Sequence, residues 1–242
     1  MSSNILFIFE GPKAEKLITD SLTNYFVNEN TVITCAYCTT IYKMYTEISE
    51  DEYLDTFTLV KDINENRASL KDFKRTDFAQ IFLFFDYDGH ASNANDGKLK
   101  ALLEFFNEET DKGKLYISYP MVEALKHIPN FDTFKDIKAA IIEFVGYKKF
   151  VKKNCLEILI HIHQYDLDIW KKLIENHLKK MNEIVYDLYE FPNVIVDQPT
   201  IFQKQIEKHI KVDQTVSVLS SFPVFLHDYY GNVDLKSRLG LL

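Results

Sequence analysis

Two carboxylates one residue apart, Asp86 and Asp88, close the run Ile81-Phe82-Leu83-Phe84-Phe85-Asp86-Tyr87-Asp88-Gly89-His90. A second apolar run, Asn4-Ile5-Leu6-Phe7-Ile8-Phe9, ends in Glu10-Gly11-Pro12. If the two runs are parallel neighbours, Glu10, Asp86 and Asp88 converge on one oxygen-rich site, and hard carboxylate oxygens suit Mg²⁺ or Mn²⁺ rather than Zn²⁺. Taken singly, an acid at a strand end also serves as a turn residue or a helix cap. Glu123 and His127 lie four residues apart in Tyr119-Pro120-Met121-Val122-Glu123-Ala124-Leu125-Lys126-His127. On a helix they share a face, either beside such a site or as a solvated polar pair. The strongest basic cluster, Lys148, Lys149, Lys152 and Lys153, surrounds Phe150 and Val151. Lysines around an aromatic residue can hold a nucleic-acid backbone, and the same pattern also describes a solvated helix face.

These residues need elements to position them. Uninterrupted apolar runs of five residues read as strands buried on both faces of a parallel sheet, and in open α/β sheets the C-terminal strand edge is where ligands bind. Residues Lys13 to Leu22 read as a helix, and Thr31 to Cys35 and Lys114 to Ser118 as further strands, with Pro120 suited to a first helical turn. Thr56 to Val60 is expected as a strand, and Asp62 to Lys74 as a polar loop or short exposed helix that carries recognition. Beyond it, Asp168 to Met181 and Pro199 to Ile210 have apolar residues at helical spacing, and Asn193 to Asp197 reads as a short strand or an extended link. The tail Val216 to Gly231 is apolar enough to be buried or to meet a partner, but Pro223 and its polar ends make it unfit to span a membrane.

An apolar strand ending in Glu-Gly, then a helix, then an apolar strand ending in Asp-x-Asp resembles the Toprim domain of topoisomerases, primases and OLD-type nucleases. Glu10-Gly11 matches the first motif and Asp86-Tyr87-Asp88 the second, while Pro120 to His127 is similar to a third motif of small RloB-related and OLD-type defence proteins. The resemblance implies a Rossmann-like, parallel-sheet catalytic domain over residues 1–145, followed by a mainly helical region over 146–242 packed on it. It implies Mg²⁺- or Mn²⁺-dependent cleavage of DNA or RNA, with Glu10 as ligand or general base and Glu123 completing the metal shell or orienting a bound water. It also implies that Lys148, Lys149, Lys152 and Lys153 contact substrate, and that the protein serves in anti-phage defence with an ATPase partner subunit and as a possible homo-oligomer.

Two other readings compete. Phe85-Asp86-Tyr87-Asp88-Gly89 also satisfies the first motif of haloacid-dehalogenase-like phosphatases, with Asp86 as nucleophile, Asp88 as acid and Ser118 in the place of the second motif. That family's strand normally lies near the N-terminus, and Glu10 would be left without a role. The third reading is a Toprim-fold scaffold without activity.

Composition bounds all three. The chain has 242 residues, 46% hydrophobic and a net charge of −8, which supports a real core and argues against broad electrostatic attraction to nucleic acid. A local patch, a metal or a partner then has to supply that attraction. Cys35, Cys38 and Cys155 form no disulfide or zinc framework, and their odd number without a secretory signal is the pattern of a reduced cytoplasmic protein. His161 and His163 sit on alternate residues with no third ligand in sequence, and read as core or surface histidines.

Overall fold

The computed structural model describes residues 3–11, 13–27, 31–38, 41–51, 55–87, 95–141 and 144–242. The chain forms two compact units, one of residues 1–85 with 96–115 and one of residues 86–95 with 116–242. The expected boundary near residue 145 lies inside the second.

The first unit contains β1 (Ser3–Phe9), α1 (Ala14–Phe26), β2 (Thr31–Tyr37), α2 (Ile41–Glu50), α3 (Thr56–Asp62), α4 (Arg67–Leu70), β3 (Gln80–Asp86), α5 (Asp96–Phe105), β4 (Asn107–Glu108) and β5 (Gly113–Ser118). β3 and β5 run on into the second unit with their last residues. The protein is thus an α/β fold with a mostly parallel five-stranded sheet, ordered β2-β1-β3-β5-β4. β1 pairs in parallel with both β2 and β3, whereas β4 and β5 are antiparallel.

Every residue from Ile5 to Phe9 and from Ile81 to Phe85 is buried, as a parallel strand covered on both faces requires. Phe7 packs against Phe82 and Phe84 with ring centroids 5.9 and 5.0 Å apart. Gly113 opens β5 with φ at 108°, and a Cβ there would stand 2.5 Å from Leu83 Cδ1 and 3.0 Å from Ile81 Cγ2. Both the backbone conformation and the lack of space call for glycine.

Thr56 to Val60, expected as a strand, is helical. The Asp55 carboxylate accepts from the Thr58 amide at 2.7 Å, capping α3, and Phe57 and Val60, one turn apart, are both buried. The polar stretch from Asp62 folds into a 3-10 turn (Asn64–Asn66) and the short α4. Asn66 is fully buried and bonds both backbone groups of Tyr37, receiving its N–H at 2.8 Å and donating to its carbonyl at 2.8 Å. An asparagine thereby fixes the end of β2.

The second unit carries β6 (Lys138–Ala140), α6 (Tyr147–Asn154), α7 (Leu167–Tyr186), α8 (Gln198–Gln205), α9 (Lys211–Asp213), β7 (Thr215–Ser217) and α10 (Ser221–Leu239). Asp166 caps α7 by accepting from the Ile169 amide at 2.8 Å, and Asp197 caps α8 through the Thr200 amide at 2.7 Å, with Pro199 in the first turn. Asn193 to Asp197 is a link leading into that cap. A π-helical turn, Ile206–Ile210, separates α8 from α9. β6 and β7 form an antiparallel pair, and Trp170, Tyr119, Phe202 and Phe222 fill the core. The tail from Val216 is mostly buried, in β7 and the first half of α10. Among the described residues no helix is long and apolar enough to cross a membrane.

Candidate active site

β1 lies between β2 and β3, so the chain steps to one side of β1 for β2 and to the other for β3. Strand order reverses at this point, and in open α/β sheets such a reversal is where ligands bind, at the C-terminal strand edge. The register pairs Phe9 with Phe84. Glu10 follows the first by one residue and Asp86 the second by two, each half-buried. Asp88, with Gly89 and His90, lies outside the described residues. Among those described, no group of three or more His, Cys, Asp or Glu side chains could hold a metal ion.

Sequence reasoning passed over Glu15. In the first turn of α1 its side chain is buried, and its carboxylate oxygens lie 3.8 and 3.9 Å from where a Cβ on Gly11 would stand. An acid in a first turn is ordinarily read as a partner of the helix dipole, which concealed it.

In the second unit, Asp86 is followed by Tyr87, whose amide donates to the Ser118 carbonyl at 2.9 Å. The Tyr87 ring is buried against Tyr119, Phe144 and Phe202, with centroids 5.6, 6.4 and 6.1 Å away. This aromatic anchor holds the backbone directly after the carboxylate. Ser118, the residue in the place of the phosphatase second motif, is buried, with its hydroxyl 2.8 Å from that of Ser221. It also accepts from the Ser221 amide at 3.2 Å, so it is committed to packing.

The expected helix over Pro120 to His127 is a 3-10 stretch, Val122–Lys126, preceded by a cis Tyr119–Pro120 peptide. Glu123 and His127 are both buried, so they are not a solvated pair. Glu123 Oε1 instead meets Lys148 Nζ at 3.3 Å. His127 Nδ1 and the Tyr147 hydroxyl are 2.7 Å apart, with the imidazole edge-on to Tyr147 and Phe150.

Gly146 makes this arrangement possible. Its φ of 100° turns the chain into α6, and its carbonyl accepts from the amides of Lys149 and Phe150 at 2.9 and 3.0 Å. Tyr147 then points inward while Lys148, Lys149, Lys152 and Lys153 are all exposed, with Phe150 exposed among them.

The electrostatics follow from burial. Tyr147 is held well above the usual phenol range, first by burial and then by the negative charges of Glu123 and Asp86. One buried phenol therefore feels both carboxylates. Burial, helped by the charge of Lys180, lowers His127 to about 4, which leaves it neutral at pH 7. Tyr147 had no signal in the sequence beyond its place before the lysines, because its role depends on contacts distant along the chain.

His161 and His163 are exposed around a 3-10 turn, and their rings lie 5.6 Å apart. Cys35 is half-buried in β2, where burial lifts its thiol to about 11, and Cys38 is buried. Compared with family models, with curated proteins and with solved structures, the chain matches none.

Proposed function

We propose that the protein is a Toprim-type, divalent-metal-dependent nuclease, in which Glu10, Asp86 and Asp88 hold Mg²⁺ or Mn²⁺ and water cleaves a phosphodiester of DNA or RNA. The observation that carries this reading is the parallel pairing of β1 with β3, which sends the Glu10 and Asp86 strand ends toward the same sheet edge at the reversal of strand order. The donor set is chemically suited to the ion, since carboxylates are hard oxygen ligands. A bound divalent ion supplies positive charge to the phosphate oxygens and makes water a better nucleophile.

The chain's own residues provide position. Tyr87 fixes the backbone that presents Asp86, and the buried Tyr147 phenol keeps its proton near Asp86 and Glu123. The exposed lysines of α6 form a local basic patch, an answer to the overall charge of −8, and Lys148 ties that patch to Glu123. Glu123, with its lysine partner, serves as a positioning residue rather than as a ligand. Action in anti-phage defence with an ATPase partner is part of the same proposal.

The test is cleavage of plasmid DNA and of total cellular RNA by purified protein in Mg²⁺, Mn²⁺ or EDTA, beside the Asp86→Ala/Asp88→Ala double variant. Metal-dependent cutting that the variant loses supports the nuclease and names its substrate. Hydrolysis of a generic phosphate monoester with no cutting of either polymer would replace it with the phosphatase. Silence on all substrates, even with the ATPase partner present, would leave a scaffold.

A further inference from the structure

Away from these carboxylates, the second unit contains a cleft of about 290 Å³ lined by the segment Lys135 to Lys138, the later turns of α7 and the π-helical turn. The volume is at the small end for a ligand pocket and fits a single metabolite. Two side-chain atoms on its lining are buried without a hydrogen-bond partner, Glu183 Oε2 and His209 Nδ1. Buried polar atoms are nearly always paired, so two orphans on one cleft are a specific feature. His209 is also carried by the π turn, a helix irregularity that recurs at functional sites.

The lining is polar and of mixed sign. Lys180 is fully buried, donates to the Phe134 carbonyl at 2.8 Å and also to that of Ile137, and stands 4.3 Å over the Phe134 ring. Burial first, and then the charge of Lys138 with smaller contributions from Lys180 and Lys208 against the opposing charge of Asp213, lowers His209 to about 4, leaving a neutral imidazole with one donor and one acceptor nitrogen at pH 7. Lys138 is paired with Asp213, which lies outside the lining, at 3.2 Å, and Lys208 with Asp187 at 2.7 Å, Asp187 and Asp136 being the acids that line the cleft beside Glu183. Each pair is partly exposed, and such pairs contribute little net stability, so a phosphate, which makes strong charge-assisted bonds, can compete for the lysines.

A matching ligand must bring a donor to the Glu183 carboxylate, a polar edge to His209 and an anion to the lysines. No trio of metal-ligating side chains capable of holding an ion exists among the described residues, so a bare cation does not fit. We propose that this cleft is a binding site for a mononucleotide, its base donating to Glu183 and facing His209, its phosphate met by Lys138 and Lys208. The amino and imino hydrogens of a nucleobase supply the donor edge, and the phosphate dianion outcompetes the surface carboxylates for the lysines.

Calorimetric titration of the full chain in EDTA tests this without reference to metal-dependent cleavage. The probes are the four ribonucleoside monophosphates, the matching nucleosides and inorganic phosphate. At least one nucleotide is expected to bind with Kd below about 1 mM, and its nucleoside and inorganic phosphate about tenfold or more weakly. Glu183→Ala and His209→Gln, each checked for native circular dichroism, are expected to weaken it about tenfold, while Asp86→Ala binds as the parent does. Absence of nucleotide binding by the parent protein overturns the proposal. Equal binding of inorganic phosphate, which marks a simple anion site, or undiminished binding by both folded cleft variants does so too. Loss of nuclease activity in Asp86→Ala with nucleotide binding intact separates this cleft from the carboxylate site.

Discussion

Lys148 Nζ stands 3.3 Å from Glu123 Oε1, and the two ends of the pair see different surroundings, the carboxylate side chain being 6% exposed and the lysine 71%. The lysine is thus a solvent-side counterion to a carboxylate embedded in the unit. Removing it leaves the charge behind, while removing the charge leaves a lysine that water accommodates.

Lys148→Met is therefore expected to cost about 1 kcal/mol, because the buried carboxylate loses its partner. Glu123→Gln keeps the shape without the charge and is expected to stay within about 0.5 kcal/mol of the parent. Urea denaturation of both single variants and the double variant at pH 7.5 checks this. A double variant less stable than Lys148→Met alone would contradict the pairing.

Tyr147→Phe removes one hydroxyl and strands the buried His127 Nδ1 that faces it at 2.7 Å. The expected loss is about 1–2 kcal/mol, read from the same urea curves. Unchanged stability would mean that the imidazole finds another partner.

Gly113→Ala forces a Cβ into the 2.5 Å approach of the Leu83 side chain at a φ of 108°. Because Leu83 is buried in the middle of β3, it has little room to yield. A loss of roughly 2–4 kcal/mol is expected in thermal or urea unfolding. A fully stable variant would show that β5 begins differently.

Acid should unfold this protein through its histidines. His177 is fully buried and lowered to about 3, and His127 and His209 are each lowered to about 4, burial being the first cause in all three. Their unfolded counterparts titrate near 6.5, so below that pH the unfolded chain binds more protons and stability falls as pH drops from 6.5 toward 4 and 3. His177 alone should contribute a loss of about 2 kcal/mol between pH 6.5 and 5. Urea midpoints measured at half-unit intervals read the slope, and a flat profile across this window would refute the buried, neutral state.

The sheet was readable because parallel strands buried on both faces leave five-residue apolar runs that few other elements need. β1 and β3 stand where Ile5 to Phe9 and Ile81 to Phe85 indicated, and they pair in parallel. Thr56 to Val60 misled because Thr and Val are strand-favouring residues. The deciding information was the Asp55 cap and the three-residue spacing of Phe57 and Val60, both visible locally. The surroundings of Glu123 were not legible in the same way. Its burial depends on a 3-10 turn, and its lysine is supplied from beyond the Gly146 turn. Tyr147 was hidden for a related reason, since a phenol acquires its surroundings only from what the fold brings to it.

α7 has a further consequence for how the second unit finds its arrangement. From this one helix, His177 bonds the Leu125 carbonyl at 3.1 Å and receives the Ser220 amide at 3.2 Å, while Lys180 holds the Phe134 carbonyl at 2.8 Å. A slide of one residue would shift these groups by about 1.5 Å and turn them by about 100°, unpairing all three at once inside an apolar core. Hydrophobic faces alone tolerate such slippage. The buried imidazole and lysine amine act as an alignment key, letting only one of the many greasy ways of seating α7 close.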